Sequence, residues 1–204
     1  MSKPIVTISR QFGSGGRIIG KQLAEELGVV YYDKNILDDI AKDKGYSKEL
    51  IEEDEKKAKN SFFYSMANAF GSAGYGVENL SINEQFFMAQ FDYITKIGQK
   101  QEGGVIVGRC ADYVLREDKS VSNIFIYADE DSRIERAIEI YGVSPEEAPR
   151  MLADVDKARA NYYRYHTGQK WGEPSNYHLA IDSGHMEIDN IVKLILEYIT
   201  LRRK

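Results

Sequence analysis

The chain is nearly devoid of the residues from which metal centres and disulfide frameworks are built. Its 204 residues include a single cysteine, Cys110, which excludes both an internal disulfide and a cysteine-based zinc site. The three histidines, His166, His178 and His185, are too few and too scattered for a metal cluster. No apolar run approaches the roughly 20 residues needed to cross a bilayer. Net positive charge is also lacking: 27 Lys and Arg against 32 Asp and Glu leave −5, which argues against a basic protein that coats nucleic acid. Met1-Ser2-Lys3-Pro4 leads straight into a strand-like run, so no signal peptide is expected and the cytoplasm is the expected compartment. What is present is a core-forming share of hydrophobic residues, 43%, and 17 glycines, several of them clustered near position 15.

Ile5-Val6-Thr7-Ile8 reads as a buried parallel strand, and Val29-Val30-Tyr31-Tyr32, Val105-Ile106-Val107, Ile124-Phe125-Ile126-Tyr127 and Leu179-Ala180-Ile181 read likewise. Helical stretches separate most of them. The spacing of Ile19, Leu23 and Leu27 predicts a helix after the first strand, with Gly28 closing it. Strands alternating with helices predict an α/β fold with a parallel sheet covered on both faces. From Lys34 to Gly103 the chain is longer than a crossover requires. It runs through a charged helix pattern, Phe62-Phe63-Tyr64, a loop-like Gly71-Ser72-Ala73-Gly74-Tyr75-Gly76, and a helix from about Asn83 to Gln101. Ser144, Pro145 and Glu147 form a capping box that predicts a helix start.

The strongest chemical feature is strand, then Gly13-Ser14-Gly15-Gly16, then helix. Glycines bring backbone N–H groups close to a ligand, and the helix behind adds unpaired N–H groups and partial positive charge, so the pattern predicts a phosphate cradle. Arg17, in the first helical turn, adds a charged donor. The alternative is a tight turn that binds nothing. Neither standard pattern fits. The dinucleotide fingerprint lacks its last glycine, although Asp33 stands at about the right distance for its acid. The lysine of the nucleotide-triphosphate loop is also missing, for Gly16-Arg17-Ile18 follow Gly15.

Arg109 directly follows an expected central strand, where open α/β sheets bind ligands, and Asp33-Lys34 ends the neighbouring one. A salt bridge from Arg109 to Asp112 or Asp33 is the structural alternative. Arg133, Arg136, Arg150, Lys157, Arg159, Arg164 and Lys170 concentrate cations in an acidic chain and point to an anion. Glu139, Glu146, Asp154 and Asp156 stand ready to pair with some of them. Trp171 with Tyr162, Tyr163, Tyr165 and Tyr177 reads either as a base-stacking patch or as a satellite hydrophobic cluster.

Gly13-Ser14-Gly15-Gly16, Tyr32-Asp33, Val107-Gly108-Arg109, Arg133-x-x-Arg136, Asp156-Lys157-Ala158-Arg159 and Leu179-Ala180-Ile181-Asp182-Ser183 resemble, in order and interval, the landmarks of bacterial cytidylate kinases. The runs Ile8 to Gly16, Val107 to Ala111 and Trp171-Gly172 are most similar to the divergent cytidylate kinase-like branch. The resemblance implies one P-loop kinase domain over 1–204 with a five-stranded parallel sheet. Its core would be 1–33 and 104–204, its helical monophosphate-binding insertion about 34–103 and its lid about 142–172. It implies ATP and Mg²⁺ as cofactors and a nucleoside monophosphate, CMP-like, or a similar small molecule as the acceptor, with small-molecule nucleotides rather than nucleic acid or membrane as partners. By the same resemblance Gly13, Ser14, Gly15, Gly16 and Arg17 hold the ATP phosphates, and Asp182 and Ser183 lie near the adenine edge. Asp33 and Arg109 face the acceptor, and Arg133, Arg136 and Arg159 close over the transferring group. Two departures stand out. Gly16 or Arg17 and Ile18 replace the loop lysine and the Ser/Thr that ligates Mg²⁺, leaving Arg17 or Arg10 to supply the cation. The lid pattern keeps only Asp156 and Arg159, with Leu152 and Ala153 in place of Arg-Asp. The expected activity is therefore ATP-dependent phosphoryl transfer; the rival is a non-catalytic nucleotide-binding regulator with a degenerate loop.

Overall fold

The computed structural model describes residues 3–33, 35, 36, 39, 40 and 82–202. The charged helix pattern before residue 60, Phe62-Phe63-Tyr64, the glycine-rich 71–76 stretch and Lys34 lie outside the described residues. The chain divides into two compact units, Met1–Asp33 with Thr95–Lys204, and Lys34–Ile94.

The first unit is built on five parallel strands: β1 (Ile5–Arg10), β2 (Val30–Tyr32), β3 (Gly104–Val107), β4 (Ser122–Tyr127) and β5 (Leu179–Asp182), in the order β2-β3-β1-β4-β5. This is the five-stranded parallel sheet expected from the β-branched runs. Ile8 pairs with Val107 on one side and with Ile124 on the other, so β1 is central. The helices are α1 (Gly16–Leu27), α2 (Ile82–Gly98), α3 (Ala111–Val114), α4 (Glu130–Tyr141), α5 (Ala148–Thr167) and α6 (Ile188–Arg202). Of these, α2 runs across the boundary between the units.

Parallel strands covered on both faces bury nearly all their side chains. Val6, Ile8, Ile19, Val105, Ile124, Ile126, Ile191 and Ile195 are inaccessible or almost so, and they form one cluster between the sheet, α1 and α6. The helical period explains α1's share: Ile19 and Leu23 are four residues apart and face the sheet together. Gly20 lies on that face because a Cβ there would come within 2.9 Å of Val107 Cγ2. Gly28 ends α1 in the left-handed conformation, φ 59°, and Val29 N–H reaches back to Ala24 O at 3.0 Å.

One helix start differs from expectation. The Ser144–Glu147 capping pair forms, with Glu147 N–H donating to Ser144 Oγ at 3.3 Å, yet α5 begins only at Ala148. Pro149 explains the delay. It carries no N–H to donate to the Pro145 carbonyl, so the capped segment remains a turn. The aromatic patch also resolves toward packing: Trp171 and Tyr177 lie against Phe125, with ring centroids at 5.5 and 4.9 Å.

Candidate functional site

Strand β1 ends at Arg10, and residues 11–15 loop over to the first turn of α1. The loop is held at both ends. Gln11 N–H donates to Ile126 O at 3.0 Å, and the Ser14 hydroxyl lies 2.9 Å from Gln11 O and 3.1 Å from Ile126 O. Gly13 and Gly15 have φ of 77° and 75°, values open to glycine at little cost. Gly15 caps α1 with no side-chain hydrogen bond, and no acid stands in the first turn. The helix N-terminus therefore keeps its partial positive charge for an anion. Gly13, Ser14, Gly15 and Gly16, the residues read as a phosphate cradle, thus form a glycine loop at a helix N-terminus.

Asp33 is buried just beyond β2 and ties down Arg17, whose Nε donates to its Oδ2 at 2.6 Å. Tyr31 Oη approaches the same oxygen at 3.4 Å, and burial followed by the Asp33 charge pushes its pKa up to about 12. Burial works against the Arg17 charge, but Asp33 outweighs it and the Arg17 pKa rises. Arg109 sits after β3 in a run of three left-handed residues, Gly108 (φ 78°), Arg109 (φ 60°) and Cys110 (φ 53°). Two consecutive non-glycine residues there store strain of the kind found at binding sites. The adjoining Cys110 thiol is buried beside Asp112, which pushes its pKa up and removes it as a nucleophile. Asp112 is engaged by Tyr163, whose hydroxyl donates to it at 2.6 Å.

The arginines of α4 and α5 divide. Asp156 on α5 accepts from the loop N–H of Phe12 at 2.7 Å, pairs with Arg133 Nη1 at 2.5 Å and stands 3.5 Å from Arg159 Nη1. Arg159 also donates to Arg10 O at 3.0 Å. Arg136 turns away instead and donates to Ser183 O. There it borders an open cleft of about 530 Å³ with Gly184, His185, Ile188 and Asn190. Asp182 braces that edge by accepting from Gly184 N–H, and the Ser183 hydroxyl reaches Ser14 O at 2.7 Å, linking β5 to the phosphate loop. The outlying Arg150 pairs only with Asp154, 3.5 Å away on the exposed face of α5.

Arg10 and Asp156 carry more of the site than the sequence reading assigned to them. Burial, and after it the charge of Arg159, pull the Arg10 guanidinium well below the ordinary arginine range. Asp33 opposes this, while Arg109 and Arg17 add to it. Four arginines from β1, α1, the β3–α3 loop and α5 thus converge at the loop mouth. Cations gathered in this way focus a positive potential. The available signal was the position of Arg10 at the last residue of the central strand, directly before the glycines.

The family model described as the cytidylate kinase-like family matches residues 5–185. The chain belongs to this family. Among solved structures, an uncharacterized protein from Eubacterium ventriosum ATCC 27560 is 28% identical at a TM-score of 0.73, covering 97% of this chain and 98% of that one. Shikimate kinase from Acinetobacter baumannii in complex with shikimate (16%, TM-score 0.55, coverage 97% and 93%) shares the fold. So does a gluconokinase from Sinorhizobium meliloti 1021 (14%, TM-score 0.52, coverage 97% and 92%). No curated protein matches the sequence. Fold and family together are those of P-loop kinases. A loop-held Mg²⁺ is not supported, since Arg17 and Ile18 bring no hydroxyl. Among the described residues, moreover, no three His, Cys, Asp or Glu side chains cluster. No described helix is long and apolar enough to cross a membrane.

Proposed function

We propose that this chain is a cytoplasmic phosphotransferase that moves the γ-phosphoryl group of ATP to a nucleoside monophosphate, CMP-like in class. The observation that carries the reading is the convergence of Arg10, Arg17, Arg109 and Arg159 on a glycine loop at a helix N-terminus. Binding of one nucleotide phosphate would not require so many cations; two phosphorylated ligands meeting head to head would.

Gly13, Ser14, Gly15, Gly16 and Arg17 hold the triphosphate from below. Arg136 borders the cleft that suits its base, and Asp182 and Ser183 brace that edge through Gly184 N–H and Ser14 O. Arg109 and Asp33 meet the acceptor, the arginine at its phosphate and the carboxylate at its hydroxyls. Arg133 and Arg159 neutralise charge around the transferring group from the lid side. Phosphoryl transfer asks for positioning and charge neutralisation more than for covalent chemistry by the protein. ATP supplies the phosphoryl group: an acceptor phosphate oxygen bonds to its γ-phosphorus, the bond to the β–γ bridging oxygen breaks, and ADP leaves with that electron pair. A phosphate oxygen is already ionised at neutral pH, so no general base is needed. Mg²⁺ would travel with the triphosphate as its usual counterion.

Incubation with ATP, Mg²⁺ and a panel of nucleoside monophosphates, with ADP as the readout, tests the reading. ADP formation dependent on one acceptor class is expected. Measurable ATP binding with no ADP above background for any acceptor would instead make the chain a nucleotide-binding regulator.

A further inference from the structure

We propose that Arg10 is the phosphate-binding cation of this loop, standing in from the end of β1 for the lysine that such loops carry at the start of their helix. The proposal deepens the kinase reading and rests on it. The standard loop runs glycine, four residues of any kind, glycine, lysine, then Ser or Thr. With Gly15 as the second glycine, the first falls at position 10 and the lysine at position 16. This chain carries the reverse, Arg10 and Gly16.

The exchange is spatially consistent. A Cβ at Gly16 would lie 2.6 Å from Arg10 Cβ and 2.8 Å from its Cγ, so the Arg10 stem crosses the space into which a side chain at position 16 would leave the helix. At its far end the guanidinium passes over the β3–α3 loop, where a Cβ on Gly108 would collide with Nη1. Two glycines from different segments thus clear a corridor for one side chain. Arg10 Nε is buried and has no hydrogen-bond partner among the described residues. An unsatisfied buried donor is costly, and most buried polar groups find a partner. Among the described residues, Arg159, Arg109 and Arg17 act against its charge and Asp33 favours it. A phosphoryl oxygen supplies both the acceptor and the countercharge. A guanidinium fixed on the central strand offers it several parallel donors without prior reorganisation.

A strut that merely fills the corridor would not respond to phosphate, which sets the test. Calorimetry with ATP, inorganic tripolyphosphate and adenosine is run on the full chain and on Arg10→Gln and Arg10→Lys. Expected is a loss of roughly 10- to 100-fold in ATP and tripolyphosphate affinity for Arg10→Gln, the worth of one charge-assisted contact. Adenosine affinity should be unchanged, and Arg10→Lys should recover part of the loss. Equal tripolyphosphate affinity in Arg10→Gln and wild type, with only a lower Tm, overturns the proposal. Where Arg10→Gln does not fold, nitrogen-15 NMR of the wild-type arginine Nε–H groups decides. The Arg10 signal shifts on saturation with tripolyphosphate, or the proposal fails. Arg10-dependent tripolyphosphate binding without ATP binding would keep the inference and sink the nucleotide reading; a wild type that binds neither sinks both.

Discussion

Arg10 and Gly16 occupy one another's space: the Arg10 stem lies where a side chain on residue 16 would begin, with 2.6 Å between the two Cβ positions. Restoring lysine to the helix start alone therefore makes matters worse. Gly16→Lys is expected to lower stability by about 1–3 kcal/mol, the usual cost of overpacking, and to displace Arg10. The paired variant Arg10→Gly with Gly16→Lys recreates the standard spacing and should regain most of that loss. Urea unfolding of the singles and the pair checks this; additive losses would contradict the steric coupling.

Gly13→Ala should be severe. The residue has φ 77°, and a Cβ there would meet Arg133 Cβ at 2.9 Å, with the Arg133 carbonyl closer still. Left-handed strain and a backbone clash together predict a loss of about 2–4 kcal/mol. A thermal melt within error of wild type would show that the loop and the start of α4 are not packed as described.

Asp156 joins the loop to the arginine of α4, accepting from Phe12 N–H and pairing with Arg133. Asp156→Asn keeps the shape and removes the charge. The expected result is a stability loss of about 1–3 kcal/mol. Added sulfate should recover part of the loss by binding the loosened arginines. No sulfate response in the variant would argue against an anion site at that place.

Asp112 sets a pH dependence. Burial raises its pKa, against the opposing effect of the Tyr163 hydrogen bond. A carboxyl whose folded pKa lies above its unfolded value takes up its proton more readily in the fold. Its ionisation thus costs stability at neutral pH, and that cost disappears as pH falls through the raised pKa toward the ordinary carboxylate range. Asp112→Asn can still accept from Tyr163 and should gain most relative to wild type near pH 7, with the advantage shrinking toward pH 4. Parallel stability curves over that interval would refute the assignment.

The sheet was legible because each strand is a short β-branched run bounded by turn residues, and the tight loop before α1 because glycines follow the first of them. The start of α5 was misjudged for a local reason: Pro149 interrupts a ladder that the capping box at Ser144 otherwise opens. The division of the α4 arginines could not be read at all. Arg133 and Arg136 are one turn apart on α4, yet one meets Asp156 and the other Ser183, and only the positions of α5 and β5 decide which. The path of Arg10 is hidden for the same reason, because Gly108 lies almost a hundred residues further along the chain.

The left-handed run at Gly108, Arg109 and Cys110 sets stability and function against each other. Arg109→Gly would relieve the strain of one non-glycine left-handed residue, worth about 1 kcal/mol, while deleting a charge that the proposed acceptor requires. Selection for heat resistance alone would therefore favour glycine at position 109. On the proposed role of Arg109, the acceptor site holds the chain below its attainable stability.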